Sequence, residues 1–201
     1  MDYSQFLNML PEATLMAILV IVFVVDFVFK NCERKHSALY MVTGLLMLAQ
    51  IAPCAIVEPT SAFGGLYVTN ESVNVMKLIL TAGTLIVVIM AQPWLTRDDV
   101  KNKEGEFYML IVSTLLGMYM MMSSGHFLMF FLGLEMASVP MACLVAFDKM
   151  KKNSAEGAAK FILTATFSSG VMLFGISFPR YSTRTLEAMS FAKARGAQVI
   201  G

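Results

Sequence analysis

Four ionisable residues of this 201-residue chain stand within long apolar stretches: Asp26, Lys77, Glu135 and Lys160. A charge at the centre of a hydrocarbon layer costs at least ~2.5–3.5 kcal/mol on insertion scales, so such residues face a partner or water, or move ions and protons. Glu135 is the deepest. It is the tenth residue of a 22-residue apolar run, 126–147, which places it within a few ångströms of the midpoint by helix rise. A carboxylate has no reach to the headgroups from there. Two readings stand: a neutral, hydrogen-bonded structural group, or a proton-handling or ion-pairing site facing a bundle interior.

The residues around Glu135 favour the second. Gly133, Ala137, Ser138 and Ala142 are small and permit close helix approach. Pro140 has no N–H for the Met136 carbonyl, so a kink is expected beside the carboxylate. For Lys77 and Lys160 the competing reading is snorkelling to the headgroups; for Asp26 it is interfacial solvation. His126, at the end of the same run, reads as an interfacial residue, and His36 lies far from it in sequence. The methionines at 118, 120–122 and 129 sit among Leu and Phe, where Met is an apolar filler rather than a copper ligand. Cys32, Cys54 and Cys143 form neither a disulfide framework nor a zinc pattern. With no Walker loop, dinucleotide glycine pattern or CxxC, no cofactor or metal is expected in this chain.

The elements that position these groups follow from composition. The chain is 57% hydrophobic and 14% charged, too little polar surface for water on all sides. About 20 apolar residues cross a bilayer, and six stretches qualify: 13–29, 38–57, 73–95, 107–123, 126–147 and 158–178. The expected fold is therefore an all-α, polytopic transmembrane bundle in a lipid bilayer. Its first span reads as a retained helix, since no basic region precedes it and no small-residue cleavage site follows.

Basic residues orient the spans. Lys30, Arg34, Lys35, then Arg97, Lys101, Lys103, then Lys149, Lys151, Lys152 occupy alternate connections, and the other connections hold no Lys or Arg. Nine against none places the N-terminus outside and the basic loops in the cytoplasm. A net charge of +1 offers nothing to nucleic acid. The segment 179–201 breaks the pattern: Arg180, Arg184, Lys193 and Arg195 should emerge outside.

Several separated motifs then carry a resemblance. LPE at 10–12 opens the first span, EFY at 106–108 opens the fourth, and Gly117–Met118 follows within it. FLGLEMASVP at 131–140, SAEGAAKF at 154–161 and GIS at 175–177 complete the series. Together they resemble, over roughly residues 8–177, the N-terminal part of subunit N of respiratory NADH:quinone oxidoreductase (complex I), subunit 2 in mitochondria. The resemblance implies an antiporter-like, non-redox membrane-arm subunit of about fourteen helices, with inverted repeats forming proton half-channels. It implies other membrane-arm subunits as partners, with quinone acting through the complex, in a bacterial inner (plasma) membrane. NADH, FMN, iron–sulfur clusters and quinone would be held in or near other subunits. By resemblance Glu135 is the helix-five glutamate that pairs with a helix-seven lysine, Lys160 is the helix-six lysine, and Lys77 falls near a helix-three lysine. All three are then expected to take part in proton transfer. The related multi-subunit cation/proton antiporters share the fold and the glutamate, and form the alternative.

The chain departs from that pattern near Phe178. Where the family continues with a Tyr-Gly-x-x-Gly-type turn into helix seven, Phe178, Pro179, Arg180 and Tyr181 stand here, followed by a basic tail. The expectation is a truncated or frameshifted product, or a fragment, that lacks the lysines of helices seven, eight and twelve and is inactive alone.

Overall fold

The computed structural model of the protein describes residues 9–28, 35–56, 59–96, 103–148 and 151–194. The helices are α1 (Leu10–Val28), α2 (Lys35–Ala49), α3 (Ile51–Ile56), α4 (Glu71–Leu95), α5 (Glu104–Met122), α6 (Phe127–Val145) and α7 (Lys152–Ala194). Among the described residues six stretches are long and apolar enough to cross a membrane, α2 and α3 together supplying the second as Ser37–Cys54. The expected all-α membrane bundle is what forms. Pro53 explains the break in the second span, because it has no N–H for the Ala49 carbonyl, where α2 ends. Lys30, Cys32, Arg34, Arg97, Lys101, Lys149 and Arg195 lie outside the described residues.

One element was not anticipated. Between α3 and α4, strands β1 (Thr60–Ala62) and β2 (Tyr67–Thr69) pair antiparallel, with Ala62 opposite Tyr67. Phe63, Gly64 and Gly65 turn the chain with φ of 54°, 66° and 89°. Two glycines in succession make that left-handed path accessible. The hairpin is fastened to the α5–α6 turn by Val68 N–H to the Ser123 carbonyl (2.9 Å) and Gly125 N–H to the Leu66 carbonyl (2.8 Å).

The chain forms two compact units, 1–159 and 160–201. In the first, α1 buries Leu15, Ile18 and Val22, and α5 buries Tyr108, Val112, Leu115 and Tyr119. Both sets follow helical spacing, so each is one face. Leu39 and Met47 of α2 and Val88 of α4 complete the core. Large apolar side chains such as Phe23, Phe27, Met90 and Leu128 remain exposed on the outside, as a bilayer-facing surface requires. α5 and α6 cross at backbone contact. A Cβ on Gly117 would strike the backbone of Met136 and Ala137, and one on Gly133 would strike that of Met121.

The described part of the second unit is the remainder of α7. This helix runs unbroken for 43 residues, past the point where the sixth span was expected to end. Arg184, Leu186, Glu187, Ala188 and Met189 beyond it are residue types with good helix propensity.

Candidate functional site

A buried ion pair joins α1 and α4 in the first unit. Lys77 Nζ lies 2.6 Å from Glu12 Oε1, and the two side chains are 0% and 3% exposed. Glu12 stands in the first turn of α1, where the helix dipole favours a negative charge. Ser123 Oγ donates to the same Oε1 (3.0 Å), and Tyr67 OH donates to Oε2 (2.9 Å). The carboxylate thus has three donors from three other elements: α4, the α5–α6 turn and β2.

Lys77 donates a second, longer bond to the Tyr67 hydroxyl (3.3 Å), and its ammonium lies 5.4 Å and 5.5 Å from the ring centroids of Tyr67 and Tyr119, within cation–π range. One turn further along α4, Thr81 Oγ donates to the Lys77 carbonyl (2.7 Å) and shares a hydrogen bond with Tyr119 OH. The Tyr119 hydroxyl also reaches Cys54 Sγ at 3.2 Å. Asn74, Lys77, Thr81 and Thr84 are the buried polar positions of α4. Their spacing of three and four residues makes one polar stripe on an otherwise apolar helix. Close by, Gln50 at the α2–α3 break donates to the Pro11 carbonyl (2.7 Å) and accepts from Thr14 Oγ (2.9 Å).

Snorkelling, the competing reading for Lys77, is corrected. A fully buried side chain held by a carboxylate and two aromatic rings does not extend to a headgroup. Sequence reasoning missed Glu12 and Tyr67 as its partners and Ser123 as a donor to Glu12, although the polar stripe on α4 was a signal that its face was covered. Removing either charged partner alone would leave an uncompensated buried charge, a loss of about 3–5 kcal/mol. In the hairpin, burial first and the Glu12 carboxylate second push the Tyr67 hydroxyl above the ordinary tyrosine range, so it remains a donor.

Glu135 stands mid-way along α6 and is half-buried. At 100° per residue it lies roughly opposite Gly133 and Ala137 on the helix, and those two residues meet α5. Its carboxylate therefore points away from α5, and among the described residues no hydrogen bond to it is formed; Ser138 Oγ bonds only its main-chain carbonyl (3.2 Å). Pro140 lies within α6 without ending it. His126 is the N-cap of α6, its Nδ1 accepting from Leu128 N–H at 3.2 Å. Lys160 is an exposed residue of α7 whose carbonyl accepts from Thr164 Oγ. Asp26 is half-buried at the far end of α1, packed against Gly105 of α5. Glu12 and Lys77 are thus joined, while Glu135 stands apart from them, about 12 Å along α6 from its start beside Ser123. Among the described residues no three His, Cys, Asp or Glu side chains gather as a metal group.

Six membrane-capable helices among the described residues, a tight α5–α6 crossing and an ion pair buried between helices describe a polytopic membrane protein. Residues 124–196 match the family described as NADH:quinone oxidoreductase/Mrp antiporter, TM. A chain of Thermus thermophilus respiratory complex I with bound aureothin has the same fold, with a TM-score of 0.66 at 24% identity, over 95% of this chain and 38% of that one. Curated relatives include NADH-quinone oxidoreductase subunit N of Phocaeicola vulgatus, 50% identical over 180 residues, covering 88% of this chain and 37% of that protein. The same subunit of Azobacteroides pseudotrichonymphae is 41% identical over 179 residues, covering 89% and 37%. Over most of its length the chain is homologous to NADH-quinone oxidoreductase subunit N. It spans a little over a third of the length of these curated relatives.

Proposed function

We propose that the chain carries part of a membrane-arm, proton-translocating subunit of NADH:quinone oxidoreductase, in which Glu135, Lys160 and Lys77 take part in proton transfer. The observation that carries this reading is Glu135: a carboxylate in the middle of α6, turned away from α5, within a chain 50% identical to a subunit N. Electrons would pass from NADH through FMN and iron–sulfur clusters to quinone in other subunits. The chemistry here is electrostatic. A carboxylate that pairs with or releases a neighbouring lysine changes that lysine's proton affinity, and quinone chemistry biases the pairing. The neighbouring membrane-arm subunits would be its partners, in a bacterial plasma membrane.

In a full-length subunit assembled into the complex, Glu135→Gln is expected to lower quinone-linked proton translocation in vesicles severely. Undiminished translocation overturns the role of Glu135. The family description also names Mrp antiporters. Cation-driven proton exchange in vesicles containing no NADH-oxidising complex would support that second reading.

A further inference from the structure

We propose that Glu12 and Lys77 form a second proton-exchange site, separate from Glu135, in which the Glu12 carboxylate takes and returns the Lys77 ammonium proton. The inference rests on the reading of the chain as a proton-translocating subunit and adds a residue, Glu12, that this reading did not contain.

The geometry supplies each part of the step. The donor and acceptor atoms are 2.6 Å apart, so the proton crosses one hydrogen bond. The N–H bond of Lys77 breaks and an O–H bond forms on Glu12 Oε1. An ammonium and a carboxylate become an amine and a carboxylic acid, with no change in net charge and no other reactant.

The surrounding groups suit either state. Ser123 and Tyr67 hydroxyls donate to the carboxylate, and a hydroxyl can rotate to accept from the acid instead. Thr81, Tyr119 and Cys54 continue the polar groups one helical turn beyond Lys77, and all of them are neutral hydroxyls or a thiol. Residue type separates exchange from a static staple. An arginine fork is the better permanent partner for a buried carboxylate and does not deprotonate, whereas a lysine ammonium releases its proton when buried. The chain uses lysine.

Lys77→Arg therefore tests the idea in the full-length subunit within the assembled complex. It preserves the cation and the pairing but removes the exchangeable proton. Proton translocation per NADH oxidised is expected to fall below the wild-type ratio in Lys77→Arg. The double variant Glu12→Gln/Lys77→Met, which leaves no unpaired charge, is expected to show the same loss. Full translocation by Lys77→Arg overturns the proposal and leaves the pair a structural staple. If neither variant assembles, infrared difference spectra on quinone reduction decide. A protonated-carboxyl band that shifts between wild type and Glu12→Asp supports exchange, and identical spectra overturn it. Failure of the broader reading is seen separately, since Glu135→Gln and wild type would then translocate alike.

Discussion

Tyr67 ties the hairpin to the ion pair through one hydroxyl, and that hydroxyl carries a pH dependence of defined sign. Its hydrogen bond to Glu12 is buried and goes to a charged acceptor, so Tyr67→Phe is expected to destabilise the first unit by about 1.5–3 kcal/mol. Burial raises the folded-state value while the unfolded chain keeps the ordinary value of about 10. The stabilisation is then fully present below about pH 10 and is lost as pH rises from there towards the folded value. Thermal unfolding in detergent should show a gap between wild type and Tyr67→Phe that is constant at neutral pH and narrows in alkali. A gap that stays constant through alkaline pH would show that Tyr67 contributes through packing alone. At this scale the sequence was half legible. Lys77 stood out as a charge in a span, but Glu12 is 65 positions away from it and read as the opening of a helix. Neither spacing nor composition brings two helix ends and a hairpin to one point.

The crossing of α5 and α6 rests on the absence of two side chains. Gly117 faces the backbone of Met136 and Ala137, next to Glu135, and a Cβ there would collide with main chain rather than with a flexible side-chain tip. Gly117→Ala must therefore separate the helices, at a cost of about 1–3 kcal/mol for overpacking. Gly83 of α4 offers a contrast, because a Cβ there meets nothing within 4 Å. Gly83→Ala should be neutral or stabilising, since alanine has the higher helix propensity. Unfolding midpoints of the two variants should move in opposite directions, or only the first should move. Equal losses would remove the backbone crossing as the explanation. The elements themselves were largely readable, because apolar runs of span length imply membrane-crossing helices. The hairpin was not. Its strands are three residues each and gain their stability from the α5–α6 turn beneath them, a tertiary contact that strand propensity does not encode.

Across the whole molecule, hydrogen bonds and charge pattern agree on which connections share an end. The start of α1, the hairpin and the α5–α6 turn converge at Glu12 through Tyr67 and Ser123. These are the segments without Lys or Arg. At the other ends of the helices, Asp26 of α1 meets Gly105 of α5. There too Trp94 of α4 packs its ring 5.6 Å from Phe107 and 5.8 Å from Phe147. The basic connections leave from this second end. Positive charge is retained on the cytoplasmic side, so the Glu12–Lys77 pair is expected near the outer face. Single-cysteine labelling checks this once Cys32, Cys54 and Cys143 are replaced. Leu66→Cys in the hairpin turn, 43% exposed, should react with a membrane-impermeant maleimide added to intact cells. Lys151→Cys, whose native side chain is 67% exposed, should react only after the membrane is opened. The reverse pattern would invert the bundle and turn the ion pair towards the cytoplasm. Reaction of both sites in intact cells would mean that the basic connection after α6 is not held inside, and the charge count would lose its force as an orienting signal.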